Sequence, residues 1–253
     1  MKLAQTEAIE PEEVHVWVAS LEVAPGELPR SESLLSEDER VRAQRLRRRE
    51  DRARFTAARA TVRRVLGAYL KLPPAGLRFA YGSMGQPRLL DSGADLDSGA
   101  DLDLRFNLSH SRDLLLLGVS RGRAVGVDLE PVRSLSHRPA IERRVFSAGE
   151  RRMLSRLPAE RRTEAFFNGW TRKEAFAKAT GEGMWATMGR IEVALAPGED
   201  ARLLTLDGSH EAAAGWTIFH LEPAAGFVGA VAVEGRAVTL SMRDLELAGE
   251  RAR

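Results

Sequence analysis

The chain has 253 residues, 43% hydrophobic and 29% charged, with a formal net charge of +2 and no cysteine. That composition is globular and long enough for one large domain or two half-size lobes, and it excludes disulfides, thiolate metal sites and cysteine nucleophiles. The longest apolar run, from Leu114 through Val119, is far short of the roughly 20 residues that cross a bilayer, and Met1 to Glu13 lacks the basic-then-apolar order of a secretory signal, so a cytoplasmic protein is expected.

Val14 to Ser20 alternates apolar and polar residues and is predicted to open the fold as a strand. Ser36-Glu37-Asp38-Glu39 has the hydroxyl-then-acid order of a capping box and starts a helical pattern. Phe55, Ala58, Val62, Val65, Leu66 and Tyr69 continue it at helical spacing until Pro73-Pro74 ends it. Along it lie Arg45, Arg47, Arg48, Arg49, Arg52 and Arg54, which account for a sequence pI near 9.3 despite the small net charge. Such a block suits a phosphate-rich ligand or an acidic partner, or is a solvated face.

Short strands are predicted at Leu77 to Tyr81, Arg105 to Leu108, Leu114 to Ser120 and Ala124 to Leu129, the last two as a hairpin through Arg121-Gly122-Arg123. A direct duplication, Asp91 to Leu96 and then Asp97 to Leu102, reads as an acidic surface insertion; it lacks the glutamate of a calcium loop. Helices follow at Arg138 to Phe146, Ala148 to Leu157 and about Ala159 to Thr180, the last stopped by Gly181 and Gly183. Strands at Ile191 to Leu195, Arg202 to Leu206, Trp216 to Leu221, Val228 to Val233 and Val238 to Leu240 complete the second half. Helices grouped with mostly antiparallel strands indicate an α+β fold.

Three segments carry chemistry. Ala124-Val125-Gly126-Val127-Asp128-Leu129-Glu130 is an apolar strand ending in two carboxylates one residue apart. Residues i and i+2 share a strand face, so Val127 and Leu129 enter the core while Asp128 and Glu130 project together. Like charges side by side are relieved by a cation, for which Mg²⁺ has the right oxygen preference, or the pair is a solvated turn. Glu174 and Lys178 stand at i and i+4 on a helix with Trp170 one turn earlier, either as an exposed ion pair or as part of a site. Phe106-Asn107-Leu108-Ser109-His110-Ser111 ends a strand in hydroxyls flanking an imidazole that could bind phosphate, act as a base or bind metal. No paired histidine motif supports zinc, and no G-x-S-x-G elbow supports a serine nucleophile.

Together, Phe106 to Ser111, Gly126 to Glu130 and Trp170 to Gly181 resemble, in order and spacing, the 4′-phosphopantetheinyl transferase family in its two-lobed, surfactin-synthetase-activating class. The resemblance implies a monomer of two similar lobes about a pseudo-two-fold axis, at residues 1–123 and 124–253, each with helices on a mostly antiparallel sheet. Coenzyme A would lie between them, and an apo acyl or peptidyl carrier protein would be the acceptor. By motif position, Asp128, Glu130 and Glu174 would hold Mg²⁺, Lys178 would meet phosphate charge, Ser109 and His110 would touch phosphate oxygens, and Lys173 would flank them. Glu174, directly or through a water, is the candidate base for the carrier serine. Arg42 and Arg45 fall where the family meets the coenzyme's 3′-phosphate. Gln86, in Tyr81 to Pro87, stands where many relatives have a lysine facing the nucleotide, which removes one phosphate contact.

Two rivals remain at this level. A metal-dependent nuclease would use the same acids and grip nucleic acid through the arginines, but such enzymes place acid-x-lysine on a strand. A non-catalytic module binding acidic carrier proteins would leave the three carboxylates without a role. The resemblance favours an enzyme that binds neither nucleic acid nor membrane.

Overall fold

Val14, Val16 and Val18 face one side of the first strand while Trp17 and Ala19 face the other, and both sets are buried. This strand therefore lies inside the fold rather than along its surface. In the computed structural model, which describes residues 8–24, 26–82, 85–90 and 103–245, the first half comprises β1 (Glu13–Ser20), α1 (Leu28–Glu32), α2 (Glu37–Gln44), α3 (Arg49–Leu70), β2 (Phe79–Tyr81), β3 (Pro87–Leu89), β4 (Leu104–Ser111) and β5 (Leu114–Arg121). There follow β6 (Val125–Pro131), α4 (Arg138–Val145), α5 (Ala148–Arg156), α6 (Arg162–Thr180), α7 (Met184–Thr187), β7 (Ile191–Val193), β8 (Leu203–Leu206), α8 (His210–Ala213), β9 (Trp216–Leu221), β10 (Phe227–Glu234) and β11 (Thr239–Leu245). The tandem acidic segment at 91–102 lies outside the described residues.

The two principal sheets run β11-β1-β5-β4 and β6-β10-β9. Helix α3 packs Ala58, Val62 and Leu66 against Trp17, Leu117 and Phe106 on one face of the first sheet. The other face, with Val14, Val16 and Leu116, meets Val127, Leu129 and Val231 of the second sheet. Phe176 of α6 covers the far side of the second sheet at Ala230 and Ala232. The layers are thus helix, sheet, sheet, helix, an α+β arrangement in which only the β1–β11 pairing is parallel among the described strands.

Three local expectations are corrected. The predicted β5–β6 hairpin does not form: β5 has both edges taken, by β1 and β4, so β6 leaves the sheet and pairs with β10. The last strand, expected among those of the second half, runs beside β1 in the first sheet. The helix beginning after Ser36 breaks between Gln44 and Arg49, where Arg48 is extended at φ −86° and ψ 136°. This bend lets Glu39 of α2 face Arg59 and Arg63 of α3, with Glu39 Oε1 and Oε2 accepting from their Nε atoms at 2.6 Å each. Glu39 also accepts from the Ser36 backbone N–H at 3.1 Å, so the capping acid doubles as the centre of a buried ion cluster. Burial alone would raise its pKa, but the two guanidinium groups outweigh burial and hold it below the ordinary value.

A glycine sets the spacing of the second sheet and α6. A Cβ on Gly126 would stand 2.0 Å from the Ala175 carbonyl oxygen and 2.5 Å from the Ala179 amide nitrogen, both backbone atoms that cannot turn aside. Gly126→Ala should therefore lower the unfolding free energy by about 1–3 kcal/mol, the usual range for overpacking, in a urea titration. Wild-type stability would show that α6 moves away freely and that the close approach is not a constraint.

Candidate active site

Along β6 the side of Val125, Val127 and Leu129 is sealed in the intersheet core, leaving Gly126, Asp128 and Glu130 toward α6. Because Gly126 brings the α6 backbone against the strand, side chains one turn apart on that helix reach the strand's acids. Lys178 Nζ donates to Asp128 Oδ1 at 2.7 Å, to the Val127 carbonyl at 3.1 Å and to Ser109 Oγ at 3.0 Å. Ser109 Oγ in turn donates to Asp128 Oδ1 at 3.0 Å. Strand β6 is an edge of its sheet, and edge backbone groups need partners. Here the site supplies them: Asn107 Oδ1 accepts from the Val127 N–H at 3.0 Å on the same edge that Lys178 caps.

The electrostatics are those of an undercompensated acidic cluster. Glu174, partly buried on α6, has its pKa pushed up to about 7, first by lost hydration, then by the charge of Asp128, with Lys178 opposing and Glu130 adding. Glu130 is raised as well, by burial and then by Asp128, although Arg133 lies 3.5 Å away. Asp128 is only 6% exposed, and its second oxygen, Oδ2, is buried with no hydrogen-bond partner. As the side chains stand, no three acid or imidazole groups among the described residues converge at metal-holding distance. The donor chemistry nevertheless fits a hard cation: all-oxygen ligands, two glutamates whose pKa values are raised in part by the Asp128 charge, and an orphaned carboxylate oxygen.

Of the residues expected at the site, the structure brings together Asp128, Glu130, Glu174, Lys178 and Ser109. The helical pair of Glu174 with Lys178 is not the main contact of either, since the lysine turns to Asp128. His110 points to the opposite face of β4 from Ser109, as strand alternation requires; its ring is exposed, and its pKa is lowered by partial loss of hydration and by the Lys178 charge.

Lys173 is a correction. It is fully buried, donates to the carbonyls of Val145, Met188 and Ile191 at 2.8–3.1 Å, and pairs with Glu150 at 2.8 Å. One residue from Glu174 is 100° around the helix, which turns Lys173 into the domain interior. Its role is to tie α6 to α4, α5 and β7, not to flank a phosphate.

Arg42 and Arg45 line an open groove with Val41 and Tyr81, and the Arg42 guanidinium stands 5.6 Å from the Phe55 ring centre and 6.0 Å from that of Tyr81. Gln86 lies at the turn between β2 and β3, its carbonyl accepting from Gly82 N–H at 2.9 Å. No hydrogen bond or ion pair among the described residues joins these three to the carboxylate cluster. Asn107 is the positioning residue that the sequence reading passed over. Its signal was an asparagine amid apolar residues in a strand, where a buried amide demands a partner.

Residues 124–232 match the family model described as the 4′-phosphopantetheinyl transferase superfamily. The chain is 41% identical over 224 residues to the 4′-phosphopantetheinyl transferase HetI of Nostoc sp., covering 88% of this chain and 89% of that protein. It is 34% identical over 164 residues to the putative 4′-phosphopantetheinyl transferase slr0495 of Synechocystis sp., covering 65% and 64%, and 30% identical over 190 residues to the 4′-phosphopantetheinyl transferase psf-1 of Bacillus pumilus, covering 75% and 76%. With identity at this level extending along nearly the full length of both chains in the first of these pairs, the protein belongs to the 4′-phosphopantetheinyl transferase family.

Proposed function

We propose that this chain transfers 4′-phosphopantetheine from coenzyme A to a serine of an apo acyl or peptidyl carrier protein, with Asp128, Glu130 and Glu174 holding Mg²⁺. The observation that carries the metal reading is the orphaned Oδ2 of Asp128, the residue whose charge helps to raise the pKa of both Glu130 and Glu174. When bound, Mg²⁺ would supply charge stabilisation at the pyrophosphate oxygens.

The chain's own residues do the rest. Lys178, fixed by Ser109, Asp128 and the Val127 carbonyl, presents an ammonium to phosphoryl oxygens on which negative charge accumulates. Glu174, directly or through a water that it orients, can accept the serine proton as the serine oxygen bonds to the β-phosphorus and the bond to the departing 3′,5′-ADP breaks. Ser109 and the neutral His110 are assigned to phosphate oxygens, and Arg42, Arg45 and Gln86 to the nucleotide end of the coenzyme. Segments 1–123 and 124–253 act in this reading as the two lobes, with β11 returning to the first sheet. The absence of cysteine fits a reducing compartment, and we take the chain to act as a cytoplasmic monomer, with neither nucleic acid nor membrane as a partner. Among the described residues no helix is long and apolar enough to cross a membrane.

Incubation with coenzyme A, Mg²⁺ and apo-carriers, read by intact mass, should show one phosphopantetheine added. Glu174→Gln should lower turnover by about 10²–10⁴-fold, beyond what excess Mg²⁺ restores, whereas Asp128→Asn and Glu130→Gln should recover partly as Mg²⁺ is raised. Full metal rescue of Glu174→Gln would leave it a ligand only, and wild-type rates in all three variants would falsify the site assignment.

The raised pKa of Glu174 has a definite sign. In the folded chain it keeps its proton up to about 7, against an ordinary value of 4.5. Its contribution to stability is therefore full below the ordinary value and is lost as pH rises through about 7. Mg²⁺ binding would expel that proton. Calorimetry in buffers of different ionisation heat should find Mg²⁺ binding tighter at pH values above about 7 than below, with proton release on the acid side. Glu174→Gln should release fewer protons; binding that ignores pH in the wild type would remove Glu174 from the ligand set.

A further inference from the structure

The turn between β4 and β5 carries a residue that the transfer chemistry leaves unused. Ser111 pairs with Leu114, so Arg112 and Asp113 form a two-residue loop. Arg112 sits there at φ 53°, in the left-handed region where glycine, asparagine or aspartate is favoured and a long side chain is not. Asp113 does the anchoring: its carbonyl accepts from Leu21 N–H at 2.6 Å, and its carboxylate accepts from Arg54 Nε at 2.6 Å. Arg112 itself forms no ion pair among the described residues. It is exposed, and its guanidinium lies 5.9 Å from the ring centre of Phe227. Phe227 pairs with Pro131 at the end of β6, one step beyond the pairing of Val228 with Glu130.

A turn on the first sheet thus extends a guanidinium over an aromatic ring of the second sheet, beside the end of the strand that carries Asp128 and Glu130. The charges acting on Glu130 are those of Asp128, Arg133 and Lys178, so Arg112 stands outside the cluster assigned to the pyrophosphate. Arginine is enriched among the residues that dominate the energetics of protein interfaces, and a ring beneath the guanidinium attracts it and restricts where it can go. Its planar fork matches a carboxylate, and the strained backbone holds it where a relaxed turn would not.

We propose that Arg112, stacked on Phe227, is a docking contact for a carboxylate of the carrier protein whose serine this site modifies. The proposal rests on the transfer reading above and adds to it the contact that recognises the acceptor.

The test uses the full chain, coenzyme A, Mg²⁺ and an apo-carrier that the wild type loads. Arg112→Asn, which tolerates the left-handed turn, should melt at or above the wild-type temperature while raising KM for the carrier by about five- to thirty-fold. KM for coenzyme A should not move, and kcat at saturating carrier should stay near wild type. Arg112→Glu should raise carrier KM further, and added salt should weaken wild-type recognition more than that of Arg112→Asn. An unchanged carrier KM, a rise confined to coenzyme A, or a lowered melting temperature in Arg112→Asn would each overturn the docking role while leaving the transfer reading intact. A wild-type chain that loads no carrier would overturn the transfer reading itself, and the docking role with it.

Discussion

The contact between Gly126 and the backbone of α6 is the constraint on which the site depends. A strand and a helix normally keep a layer of side chains between them. Here the missing Cβ lets the Ala175 carbonyl and the Ala179 amide stand where a methyl group would be. At that spacing Lys178 reaches Asp128, Ser109 and the Val127 carbonyl together. Glu174, one turn earlier on the helix, is then brought within the field of Asp128 and Glu130. Gly118 repeats the device between the sheets, since a Cβ there would meet Val127 Cγ1 at 2.7 Å. The strand that carries the acids is therefore pressed from both sides, with little room to shift its register.

Charge inside this protein falls into two kinds. Glu39 with Arg59 and Arg63, and Glu150 with Lys173, are buried and closed by additional hydrogen bonds to backbone groups. Removing one member of such a group strands the other, which is the expensive outcome in a dry interior. The cluster at Asp128, Glu130 and Glu174 is left open instead: acids outnumber the lysine that answers them, and one oxygen has no partner. Closed clusters hold helices in place, whereas an open one stores unfavourable energy that a ligand can release.

The arginine-rich segment illustrates the same division. Arg59 and Arg63 support the fold from within, Arg54 fastens the β4–β5 turn through Asp113, and Arg42 and Arg45 face a groove. A net charge of +2 conceals these separate duties, because the sum says nothing about which guanidinium has a carboxylate beside it.

Local order was legible without coordinates. Alternation located β1, the capping acids located the start of α2, Gly181 located the end of α6 at φ 72°, and the one-residue spacing of Asp128 and Glu130 put both on the same side of β6. Each of these depends on contacts within a few residues. The motifs at Phe106 to Ser111, Gly126 to Glu130 and Trp170 to Gly181 also identified the family. What the sequence could not show is which neighbour each strand or side chain would choose. Whether β6 pairs with β5 depends on β1 having taken that edge, and whether Lys178 serves Glu174 or Asp128 depends on a helix approaching a glycine about fifty residues away in the chain. Lys173 and Glu174 look equally available in the sequence, yet one helical step sends the first to Glu150 and three carbonyls and the second to the acids. Periodicity encodes the direction of a side chain on its own element, but its partner is set by the packing of elements distant in the chain, and that only the tertiary structure decided.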